Sequence, residues 1–134
     1  MICEKNSWSF YGYVTPPPAG RQDVQDWLNQ LHEDIKDEAI DKLSYLQVLP
    51  FHLWGRPKFA PLGEGLSEIR FDVNSLKKTF RIYGCCWPAS KRNSYTLLLG
   101  TEKKVNNPKG DVSEAKKRKR NLECGKASVH EFKF

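Results

Sequence analysis

A chain of 134 residues that is 39% hydrophobic and 28% charged has the make-up of one globular domain, able to take roughly two-thirds of its unfolded surface out of water. No apolar run approaches the roughly 20 residues that cross a bilayer, and Glu4, Lys5 and Asn6 stand where a signal peptide would need an apolar stretch; the expectation is one cytoplasmic domain over residues 1–134, with no membrane partner. The net charge of +6 hides a division: residues 1–66 hold 6 Lys/Arg against 9 Asp/Glu, and residues 67–134 hold 16 against 7, a footprint suited to a phosphate-bearing partner.

Residues 8–14 (W-S-F-Y-G-Y-V) are aromatic and β-branched and stop at Pro16, Pro17 and Pro18, which predicts a first strand and a stiff loop. From Asp23, the residues Val24, Trp27, Leu28, Leu31 and Ile35 fall at i, i+3, i+4, i+7 and i+11, the stripe of a helix with one buried side. Its outer face carries Asp23, Asp26, Glu33 and Asp34. A second helix follows on Ala39, Ile40, Leu43, Leu46 and Leu49 and ends before Pro50. Residues 50–65, with three prolines and three glycines, read as a loop that packs Phe51, Trp54 and Phe59 down as a lid.

Residues 66–73 alternate, Ile69, Phe71 and Val73 against Glu68, Arg70 and Asp72; residues 79–85 alternate again, Phe80 and Ile82 against Arg81 and Tyr83. Residues 74–77 are a plausible hairpin loop between two such strands. A polar excursion at 87–93 precedes a strand at 94–104, and Asn106, Asn107 and Pro108 open a last helix from Lys109 to about Glu123, closed by Gly125. Residues 127–134 are a tail or a short edge strand. The class is α+β: a small, mostly antiparallel sheet, an N-terminal helical hairpin on one face, and a C-terminal helix.

If Val73 pairs with Lys78, Arg70 lies directly across from Arg81, and both point away from the apolar face. Like charges so placed repel, and a bidentate guanidinium fork fits a phosphate that would neutralise them; Arg81 is then expected to be a solvent-side cation whose truncation leaves the fold intact. Lys103, Lys104 and Lys109 gather near a helix N-terminus, a setting for an anion. The run K-K-R-K-R at 116–120, with Lys116, Lys117, Arg118 and Arg120, spans every side of a helix and suits general RNA attraction. Cys3, Cys85, Cys86 and Cys124 have no C-x2-C spacing, and His32, His52 and His130 stand apart from one another, so four reduced thiols, ordinary histidines, no metal site and no cofactor are expected.

The segments L-G-E-G-L-S-E-I-R at 62–70, F-R-I-Y at 80–83, L-L-G-T-E-K-K at 98–104, N-P at 107–108 and S-E-A-K-K-R at 113–118 together resemble the phage-derived branch of the RelE/HigB toxins, over about residues 58–123. The chain departs from that pattern at Val112, where relatives carry Tyr or Thr, at Thr101, where they usually carry Phe, and in its longer excursion at 87–93. The resemblance implies a RelE-like fold, a helix-turn-helix antitoxin as partner, and inhibition of translation by a metal-independent endoribonuclease that cuts mRNA on the ribosome. In that chemistry the ribose 2′-OH attacks the adjacent phosphate and leaves a 2′,3′-cyclic end. Arg70 and Arg81 would stabilise the phosphorane, since arginine keeps its proton, and Lys103 or Lys104 would exchange protons.

A noncatalytic RNA- or ribosome-binding protein of the same fold is the first rival, because binding phosphate requires only the basic face. A DNA-binding regulator is disfavoured, since the helical hairpin is acidic and a duplex would repel it. If the basic half meets RNA, affinity in a salt titration should fall steeply between low and moderate ionic strength, with a log–log slope near −0.7 per phosphate contact for a single strand; a flat titration would remove the basic face from the reading.

Overall fold

A computed structural model of the chain describes residues 7–55, 59–104 and 109–134. The strands are β1 (Ser9–Val14), β2 (Phe59–Gly63), β3 (Leu66–Val73), β4 (Lys78–Cys85), β5 (Ser94–Glu102) and β6 (Ser128–Glu131); the helices are α1 (Asp23–Gln30), α2 (Glu33–Gln47) and α3 (Lys109–Glu123). One sheet joins all six strands in the order β2-β3-β4-β5-β1-β6. Every pairing is antiparallel except β1 with β5, so the α+β class and the meander hold.

Period-two alternation sorts the strand residues onto two faces, and each face acquires its own core. Phe10, Ile69, Phe71, Val73, Phe80, Ile82, Tyr95 and Leu97 bury against α1 and α2 through Val24, Leu28, Ile35, Ala39, Leu43 and Leu46. On the opposite face Tyr13, Leu66, Tyr83, Cys85 and Leu98 bury against Ala115 and Leu122 of α3. The sheet is therefore covered on both sides. The expected open face carrying Arg70 and Arg81 is corrected: α3 packs over much of it, and Arg81 is only 3% exposed.

Three local readings change as well. The stripe running to Ile35 belongs to two helices, because Leu31 turns extended (ψ 153°) and the His32 side chain accepts from the Asp34 N–H, capping α2. Ile35 buries from the first turn of α2 with its stripe intact. Residues 59–63, expected as loop, form β2; Pro61 is tolerated there because β2 is an edge strand. Phe59 and Trp54 pack down as a lid would, while Phe51 stays 39% exposed. The terminal segment supplies β6, pairing Ser128–Glu131 with β1 and burying Phe132. The reading of Asn106, Asn107 and Pro108 as the start of α3 falls outside the described residues, as does Cys3.

The β3–β4 hairpin forms in the predicted register, with Val73 opposite Lys78 and Arg70 opposite Arg81. Its turn is a short 3-10 segment, Asn74–Leu76, closed by Lys77 in the left-handed region (φ 53°). Between β4 and β5 the register slips after Tyr83, an irregularity that lets both Leu98 and Leu99 reach the α3 side. Gly100 follows on the α1 side, where the Trp27 ring lies against its backbone and leaves no room for a Cβ. Gly100→Ala should accordingly lower stability by about 1–3 kcal/mol through overpacking, read as a lower denaturant midpoint at unchanged slope; an unchanged midpoint would show that Trp27 moves aside freely.

Candidate functional site

Alternation on β3 puts Glu68 and Arg70 on the α3 face, and register places Tyr83 and Arg81 opposite them on β4, with Leu99 and Thr101 next on β5. The row Arg70–Arg81–Thr101 thus crosses three strands beside the row Glu68–Tyr83–Leu99. Glu68, 6% exposed, is the group that composition and spacing did not single out. Its Oε2 accepts a hydrogen bond from Arg70 Nη2 at 3.3 Å and stands 3.3 Å from Arg81 Nε. One carboxylate is shared by two guanidinium groups, so the repulsion expected between the arginines is relieved from within the chain.

That relief is incomplete. The buried Nε atoms of Arg70 and Arg81, the Tyr83 hydroxyl and Thr101 Oγ1 make no well-formed hydrogen bond among the described residues. A buried polar group left in that state costs about 1–3 kcal/mol. Burial pushes the Tyr83 phenol up from its ordinary value, the neighbouring Arg81 pulls it down, and Glu68 and Asp111 add to the rise; the net direction keeps the phenol protonated. The Arg70 side chain, 33% exposed, is the accessible end of the row.

The other predicted cations are spread apart. Lys103 donates its backbone N–H to the Thr79 carbonyl at 2.7 Å, just past the end of β5. Lys104 is exposed. Lys109 is exposed at the start of α3, and the link between it and Lys104 lies outside the described residues. Lys116 pairs with Glu64 at 3.5 Å, while Lys117 and Arg120 are exposed.

Arg118 differs from its neighbours in the basic run. It donates to Glu114 at 2.9 Å, to the Leu98 carbonyl at 3.0 Å and to Asp23 at 3.1 Å, and its guanidinium sits over the Tyr13 ring. It clamps α3 to β5 and α1, which commits most of its fork to the fold. Asp23, read as part of an acidic outer face, is the far anchor of that clamp. Among the described residues no group of His, Cys, Asp and Glu is arranged to hold a metal ion, and no helix is long and apolar enough to cross a membrane. Cys85 is buried and its thiol is pushed up to about 12 by that burial, which makes it unreactive.

The depth of Arg81 reverses the expectation for its truncation. Removing one partner from a buried ion pair leaves a charge stranded and costs up to about 3–5 kcal/mol, whereas trimming the half-exposed Arg70 should cost about 1 kcal/mol or less. Chemical denaturation of Arg81→Ala and Arg70→Ala side by side checks this, and equal midpoints would contradict the asymmetry of burial.

No curated protein and no solved structure matches the chain. A family model does, over residues 26–120, which takes in α2, strands β2 to β5 and most of α3. The chain belongs to the phage-derived protein Gp49-like family (DUF891).

Proposed function

We propose that this protein is the toxin of a toxin-antitoxin module of RelE/HigB type, a cytoplasmic single-domain endoribonuclease that cuts mRNA on the ribosome and so inhibits translation, held in check by a helix-turn-helix antitoxin. One observation carries the reading: two arginines face each other across β3 and β4 with a single carboxylate paired to both, and neither Nε makes a well-formed hydrogen bond among the described residues. A phosphodiester meets this pair through the exposed part of Arg70. Membership of a phage-derived family and the surplus of cations after residue 66 support the same reading.

In the reaction Arg70 meets the scissile phosphate and Arg81 stands behind it, so positive charge faces the phosphorane that forms when the 2′-OH attacks. Glu68 is the carboxylate nearest the arginines and takes the 2′-OH proton. Lys103, just past the end of β5, gives a proton to the departing 5′ oxygen, and the products are a 2′,3′-cyclic phosphate and a free 5′-OH. Tyr83 lies beside Arg81 on the same face of β4. Lys104, the residue after Lys103, is the alternative proton donor, while Lys109, Lys116, Lys117 and Arg120 act as general RNA attraction.

A noncatalytic RNA- or ribosome-binding protein is favoured by a different observation, the burial of both Glu68 and Arg81, which would suit an ion pair kept for the fold alone. The two readings part at Arg70. Expressed without its partner, the parent should arrest growth and produce cuts in mRNA mapped by primer extension, and Arg70→Ala should lose about a hundredfold or more in cleavage rate while melting close to the parent. If the parent arrests growth without cutting, or Arg70→Ala cuts at the parental rate, catalysis at this site is wrong.

A further inference from the structure

At the end of the sheet, past the β2–β3 turn, a cleft of about 620 Å³ opens between Phe51, Trp54 and Phe59 on one side and Trp87 on the other. Trp54 and Phe59 are buried and form its back wall, Phe51 is 39% exposed, and Trp87 is half-buried at the mouth. Lys119 and Glu123 of α3 stand on its rim. The same two residues also line a smaller neighbouring hollow of about 260 Å³ with Glu64, Lys116 and Arg120. Sharing a rim, the two form one depression, aromatic at one end and lined at the other by three cations and two carboxylates. Leu66, common to both, lies on β3 only four residues before Arg70, roughly 13 Å along a strand.

We propose that this depression is a nucleobase subsite for single-stranded RNA, in which one base stacks among Phe51, Trp54 and Trp87 while an adjoining phosphate rests on Lys116, Lys119 and Arg120. The inference rests on the RNA reading above and adds where a nucleotide away from the scissile phosphate is held. An aromatic slot beside cations is the combination that grips single strands: stacking takes any base, and the lysines follow the backbone. The volume lies in the range of small-ligand clefts. Lys116, Lys119 and Arg120 are at i, i+3 and i+4 of α3 and share one flank of it. Glu64 and Glu123 pair with the two lysines, at 3.5 and 2.7 Å, so a phosphate takes over cations that are already aimed at this hollow. Arg120 stands exposed beside them.

Fluorescence anisotropy of a labelled five-nucleotide RNA, made uncleavable by 2′-deoxy substitution, tests the proposal against an abasic strand of equal length. With the parent protein the base-bearing strand should bind tighter. Trp87→Ala should weaken that strand about tenfold or more, the loss of one stacking platform, and leave the abasic strand unchanged; Phe51→Ala, at an exposed position, should do the same should Trp87→Ala fail to fold. Arg70→Ala should weaken both strands alike, because its contact is with phosphate. Equal affinity for the two strands in the parent, or parental affinity in both aromatic variants, overturns the subsite; if Arg70→Ala still weakens both strands, the RNA reading survives that failure. If neither strand binds and an acidic amphipathic peptide does so in a Trp87-dependent way, the cleft is a protein docking site and the subsite falls together with the RNA reading.

Discussion

Two guanidinium groups directly across a strand pair repel each other, and the face of the sheet beneath α3 is arranged around that constraint. The Val73–Lys78 closure leaves the hairpin no other register that keeps Ile69, Phe71, Phe80 and Ile82 together on the α1–α2 side. Arg70 and Arg81 must therefore meet. Glu68, two residues before Arg70 and so on the same face, supplies the only countercharge among the described residues within bonding distance of both. Burying a charge is costly unless it is paired, which is why Arg81 can lie at 3% exposure.

The same cluster has more donors than acceptors. Arg70, Arg81, Tyr83 and Thr101 all contribute a buried polar atom without a good partner, and they lie within two adjacent cross-strand rows. Arg70 is the accessible end of that cluster.

Holding α3 over this face falls largely to Arg118. Its bonds to Leu98, Asp23 and Glu114 tie together the irregular stretch of β5, the start of α1 and α3 itself. The chain thus uses one member of its basic run as a clamp and leaves Lys116, Lys119 and Arg120 along the flank that adjoins the aromatic cleft. Five consecutive residues on a helix point in every direction, so a run of like charges divides into different duties once one side of the helix is buried.

Local pattern in the amino-acid sequence was enough for what depends on neighbours along the chain. The alternation of residues 66–73 and 79–85, the hairpin register, the closing glycine at Gly125 and the extent of α3 to Glu123 are all legible, because strand parity and helix stops are set within a few residues. The break at His32 and the edge strand through Pro61 were not, since a capping side chain and a tolerated proline each look like their opposite until the neighbours are placed. Arg70 and Arg81 could be named from the sequence, but whether a polar strand face meets water or a third helix is a question of packing. Only the tertiary structure decided that α3 covers Arg81, that Glu68 becomes its partner, and that Arg118 turns inward, because burial is settled by elements far apart in the chain and it is burial that assigns each charge its energy.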